Sequence, residues 1–168
     1  MNTTSQLGVP IETLALQVRD LLLQGGNIGM TLNYEEQDYE LLYTLGHTAY
    51  EQARYSDAVK VFGYLVMLNQ FEARYTNALA SSLHMCKNYE EAMKYYTLVS
   101  VMDMTDPLPT FHTCECMLAM GMLKETREGL VIVIAQCKDA SREPLKARAQ
   151  AMLDLLDKST TTSSTEKA

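Results

Sequence analysis

The chain has no apolar run near the roughly 18 residues that a membrane-crossing helix requires. Its start, MNTTSQLGVP, lacks the basic opening and continuous apolar segment of a secretory signal. Both absences point to the cytoplasm and away from a membrane partner. Basic residues are scarce: 14 Lys and Arg stand against 21 Asp and Glu, for a formal charge of -7. No cluster of them makes the footprint that phosphate binding needs, so nucleic acid is excluded as a main partner. The acidity reads as ordinary solubility. No glycine-rich loop is present to cradle a phosphate. Of the four cysteines, Cys86, Cys114, Cys116 and Cys137, only Cys114 and Cys116 are close. On a helix a C-x-C spacing turns the thiols about 200° apart, which is poor for chelation. They read as buried free thiols in a reducing compartment.

What the chain does have is a period. Leu45-Gly46, Tyr50, Tyr55, Ala58, Phe62 and Leu65 return 34 positions later as Leu79-Ala80, His84, Tyr89, Ala92, Tyr96 and Val99. A weaker echo follows after another 34: Thr113-Cys114, Leu118, Leu123, Thr126, Leu130 and Val133. Small and aromatic residues at fixed phases of this period resemble tetratricopeptide-repeat (TPR) helix pairs. Small side chains let paired helices approach, and large ones fill the spaces between.

The expected fold is all-α: three tandem TPR helix pairs, an N-terminal helix, a C-terminal capping helix and a concave superhelical groove. Residues 1–10 read as a flexible N-terminus, and 11–157 as one domain. Within it fall an N-terminal helix at 11–24, repeats at 37–70, 71–104 and 105–138, and a last helix at 142–157. Gly25-Gly26 closes the first helix, and 27–36 is a connector. Ser56 and Asn88 are the expected N-caps of the second helices of the first two pairs. The run Asp106-Pro107-Leu108-Pro109 breaks the chain before the third pair. Ser141 and Pro144 open the last helix. The stretch 158–168, KSTTTSSTEKA, reads as a disordered tail. The first helix lies outside the 34-residue register. It either caps the apolar end of the array or forms a dimer surface, roles that do not exclude each other.

In such a stack the first helix of each pair lines the inner wall, and its free face recurs at spacings of three to four. That face carries Tyr43, His47 and Tyr50 in the first repeat, with Leu45 and Gly46 on the packed side. In the second it carries Arg74, Asn77, Ser81 and His84, and in the third Phe111, Glu115 and Leu118. The mixture suits an extended peptide, with side chains in pockets and backbone on polar groups. The chain's own last helix is the alternative occupant for some of these positions. No catalytic constellation emerges. His47 and His84 come from different repeats with no cysteine or carboxylate at ligand spacing. His112 shares a helix face with Cys116, but a buried structural thiol is the simpler account. Neither metal nor cofactor is expected, and the chain is not read as an enzyme.

Several stretches together resemble one family, the class II chaperones of bacterial type III secretion (the LcrH/SycD/IpgC type). These are the QGGNIGM step, LLYTLGHTAYEQARYSDAVKVFGYLVMLN, FEARYTNALASSLHMCKNYEEAMKYYTLVSVMDMTDP and FHTCECMLAMGMLKETREGL. The likeness spans roughly Leu14 to Leu156. Thr113-Cys114 and Thr126 depart from the usual Leu-Gly or Leu-Ala pair and Ala, which bears on packing in the third repeat. The resemblance implies a bacterial cytoplasmic chaperone that keeps hydrophobic, pore-forming translocator proteins soluble and ready for secretion. It implies a client segment held in the concave groove, with Tyr43, Tyr50, Asn77 and His84 among its wall, and a homodimer formed through the N-terminal helix. A general TPR adaptor or a secretion-regulatory subunit is the alternative.

Overall fold

The computed structural model describes residues 11–165. The expected flexible N-terminus, 1–10, lies outside the described residues. Nine α-helices follow one another with no strand among the described residues: α1 (Ile11–Leu23), α2 (Ile28–Thr31), α3 (Glu36–Glu51), α4 (Tyr55–Leu68), α5 (Ala73–Met85), α6 (Tyr89–Met102), α7 (Leu108–Ala119), α8 (Leu123–Gln136) and α9 (Glu143–Thr165). Helices α3 to α8 form three antiparallel pairs, each packed on the next, and α9 lies on α8.

The period is visible in the backbone itself. Ala53, Lys87 and Gly121 stand at equivalent points of the three repeats, and each has positive φ, at 58°, 60° and 77°. Each turn is followed by a residue of nearly the same conformation, Arg54, Asn88 and Met122. The first of these corrects the expected N-cap: α4 begins at Tyr55 after Arg54, so Ser56 lies within its first turn. The turn geometry, not a capping hydroxyl, sets that start. Asn88 does precede α6, but its side chain makes no capping hydrogen bond.

The repeat residues pack as small against large. Ala58, Ala92 and Thr126 are buried at one phase, and Phe62, Tyr96 and Leu130 at another. A Cβ on Gly46 would sit 2.7 Å from Phe62 Cε1, so glycine is what allows α3 to approach α4 so closely. The third repeat solves its departures locally. Thr126 donates its hydroxyl to the Met122 carbonyl at 2.7 Å, which satisfies the polar atom it brings into the core. Cys114 is larger than Gly46 or Ala80, and Gly129 opposite makes room: a Cβ there would lie 2.5 Å from Cys114 Sγ.

Leu45 is a second correction. It is 53% exposed, and Leu41 is 71% exposed, whereas their counterparts Leu79 and Tyr75 are buried. The first helix of a repeat buries this face against the preceding pair, as α5 does on α4 and α7 on α6. The first repeat has no predecessor, and α1 leaves both leucines open.

At the other end, α9 closes the array. Ala149 and Leu156 join Phe111, Cys114, Leu130, Val133 and Cys137 in a core separate from that of the first two repeats. A 3₁₀ turn at Ala140–Arg142 leads into it and takes in Ser141, which is therefore not the expected N-cap, while Pro144 lies in the first turn of α9 as expected. The helix runs on to Thr165 rather than stopping at 157, and so takes in most of the expected tail; 166–168 lie outside the described residues. Extending an existing helix needs no new nucleus, so poor formers can follow good ones.

Candidate functional site

The inner wall is built by α3 and α5. Tyr43, His47 and Tyr50 follow one another at four and three residues on α3, and Arg74, Asn77 and Ser81 at three and four on α5. Each set therefore shares one helix face. All six line a single cavity of about 230 Å³, together with Phe62 and Ala78. Phe62 is 1% exposed and packs against the Tyr43 ring at a centroid distance of 5.6 Å.

Arg74 crosses one rim. Its guanidinium lies 4.5 Å over the Tyr43 ring and 5.3 Å from that of Tyr75. It also makes an ion pair with Glu40, 34 residues earlier on α3. The hydrogen bond to Glu40 holds its proton more tightly than usual, so this cation is already committed. Tyr50 stands edge-on to Tyr55 at 5.3 Å, and burial raises the pKa of its hydroxyl, which stays neutral at physiological pH. Ser81 Oγ accepts a hydrogen bond from the Tyr96 hydroxyl at 3.2 Å. His47 is exposed and lies 3.5 Å from Glu51. An aromatic hole with amide and hydroxyl groups at its edge takes an apolar side chain while its rim meets backbone polar groups.

The remaining expected wall residues do not line this cavity. Phe111 is 2% exposed and belongs to the core under α9, with the Arg148 guanidinium 4.8 Å over its ring. It is not a groove residue: the chain's own last helix covers it. Leu118 is half-buried against that same core. His84 and Glu115 meet His112 in a second cluster, where His112 Nδ1 lies 2.7 Å from Glu115 Oε2 and Arg148 donates to Glu115 Oε1 at 3.3 Å. Burial would raise the Glu115 pKa, but the His112 hydrogen bond and the nearby positive charges outweigh it and bring it below its ordinary value.

Sequence reasoning missed four contributors. Phe62 reads from the sequence as a core residue, yet it also lines the cavity. Ala78, four residues after Arg74, could have been found from the helical spacing, as could His112, three before Glu115. Arg148 could not, because it arrives from α9. The buried thiols Cys114 and Cys116 make no nucleophile: burial pushes each pKa up to about 11, leaving them protonated at neutral pH.

Comparison with known proteins gives consistent results. A tetratricopeptide-repeat family match covers residues 75–106. The low calcium response locus protein H of Yersinia pestis is 30% identical over 142 residues, spanning 84% of this chain and 84% of that protein. PcrH of Pseudomonas aeruginosa, crystallised with the chaperone binding region of PopD, is 32% identical with a TM-score of 0.71, over 76% of this chain and 97% of that one. The Yersinia enterocolitica type III secretion chaperone SycD, crystallised with a peptide of the translocator YopD, is 28% identical with a TM-score of 0.70, over 75% and 97%. SycD has also been crystallised as a dimer.

Proposed function

Because the chain belongs to the family of type III secretion chaperones that includes low calcium response locus protein H and SycD, we propose that it holds an extended segment of a hydrophobic translocator protein in its concave groove. The bound client stays soluble and competent for export. The observation that carries this reading is the cavity between α3 and α5, where Tyr43, Tyr50 and Phe62 make an aromatic hole edged by Asn77 and Ser81. Relatives have been crystallised with the chaperone binding region of PopD and with a peptide of the translocator YopD. The site residues we assign to the client are Tyr43, His47, Tyr50, Arg74, Asn77 and Ser81, with His84 and Glu115 further along the same wall.

The role is non-catalytic and cytoplasmic, in keeping with a family of chaperones; no described helix is long and apolar enough to cross a membrane. A second copy of the chain covers Leu41 and Leu45, the face that no earlier repeat buries, with α1 contributing its exposed Leu16 and Leu23. An adaptor that clamps a terminal carboxylate would need free cations on the inner wall. Arg74 is engaged with Glu40, which disfavours that use.

Co-expression tests the proposal. With the hydrophobic translocator of the same secretion system, the client should become soluble and co-elute with the chaperone. A client that stays insoluble, with no complex for any translocator of that system, would overturn it.

A further inference from the structure

The second and third repeats meet on the concave side in a cluster outside the aromatic cavity. His84 stands in the last turn of α5, and His112 and Glu115 stand one turn apart on α7. One nitrogen of each histidine and one Glu115 oxygen all lie within 4.8 Å of one another. An ordinary ion pair within α7 accounts for His112 and Glu115, but not for a second imidazole brought from another repeat. The rings are held in place: His112 stacks on Tyr96 at 5.1 Å, and His84 stands edge-on to Tyr96 at 6.1 Å and to Tyr89 at 5.6 Å. Arg148 engages Glu115 Oε1, leaving Oε2 on the histidine side.

We propose that His84, His112 and Glu115 form a binding site for a divalent transition metal of the zinc class, tying α5 to α7. Two imidazoles and a carboxylate are a zinc donor set that leaves a fourth position for water or another ligand. Tetrahedral donors lie about 3.3 Å apart, so no separation has to close by more than roughly 1.5 Å. Half-buried side chains reach that with modest rotations about their staggered minima. Arg148 opposes a dication, which makes the affinity moderate and favours zinc or copper, at the strong-binding end of the divalent series. The site shares His84 and Glu115 with the outer end of the client wall, but its test uses no client and so reads the metal alone.

The experiment is zinc titration by calorimetry of the untagged full chain carrying Cys86→Ser, since Cys86 is the exposed thiol. One equivalent should bind. Cobalt substituted for zinc should give a four-coordinate absorption spectrum without sulfur charge transfer. Loss of a mere supporting partner costs about 10- to 100-fold in affinity, so His84→Gln and His112→Gln should each weaken binding at least about tenfold. Glu128→Gln, at an exposed carboxylate on α8, should leave the zinc affinity unchanged. Circular dichroism checks that the variants fold; should either misfold, the cobalt spectrum of the His84- and His112-containing chain decides. No zinc binding, sulfur ligation, or unchanged affinity in both folded variants would overturn the site.

Discussion

Gly46→Ala separates helix propensity from packing, because the two predict opposite signs. In an open helix, alanine is favoured over glycine by about 1 kcal/mol. Here the added methyl would meet the Phe62 ring at 2.7, 2.8 and 3.1 Å, with ring atoms as the neighbours. Ordinary carbon contacts begin near 3.5 Å, so the ring must move by several tenths of an ångström. Phe62 is 1% exposed and packs against Tyr43 and the core, so it can yield only toward the cavity it lines, at the expense of those contacts. Overpacking of this kind costs about 1–3 kcal/mol. We take the upper half of that range, and after the propensity gain a net loss of about 1–2 kcal/mol remains. Urea unfolding followed by circular dichroism should show a lower midpoint with unchanged slope. Because Phe62 also faces the cavity, client affinity should fall as well. Adding Phe62→Leu should recover part of the stability. If Gly46→Ala raised the midpoint, the close approach of α3 and α4 would not be what selects glycine there.

Other consequences follow from the same geometry. Phe111→Ala should cost about 3–5 kcal/mol in unfolding experiments, as a core truncation does. A loss of client affinity with stability intact would instead return Phe111 to the groove. Lys87→Gly should stabilise by up to about 1 kcal/mol, since it relieves a non-glycine residue at φ 60°; a lower melting temperature would count against strain at that turn. A thiol reagent at neutral pH should label Cys86 rapidly and Cys114, Cys116 and Cys137 only after denaturation. Rapid labelling of all four would mean that the α7–α9 core is open in solution.

The repeat was legible because its positions do the same job three times. Gly46, Ala80 and Cys114, and likewise Phe62, Tyr96 and Leu130, face the same kind of neighbour 34 residues apart, so local spacing carries the packing. Leu45 shows the limit of that reasoning. Its phase matches Leu79, but burial there depends on a preceding repeat that the first pair lacks. Phe111 shows the same limit at the other end. It has the phase of a wall residue, and only the arrival of α9 with Arg148 turns it into core. Ala53 and Lys87 gave no sign of their left-handed turns, because neither carries the glycine that Gly121 does. On α3 and α5 the helical spacing alone gathered six residues around one cavity. The second cluster draws on three helices, α5, α7 and α9, and only the tertiary structure brings them together.

The groove accounts for how a chaperone could hold its client. Rigid paired helices hold aromatic side chains in fixed positions, so a client segment meets a preformed surface and loses little to reorganisation of its host. The most direct test is fluorescence anisotropy of a labelled translocator segment against the original chain and the Tyr43→Ala/Tyr50→Ala variant, with helical circular dichroism as the control. Burying one large apolar side chain is worth about 1.5–3 kcal/mol, so removing two wall aromatics should weaken binding at least about tenfold while the helical signal stays nearly intact. Equal affinity of the two proteins would contradict the assignment of this wall as the client surface.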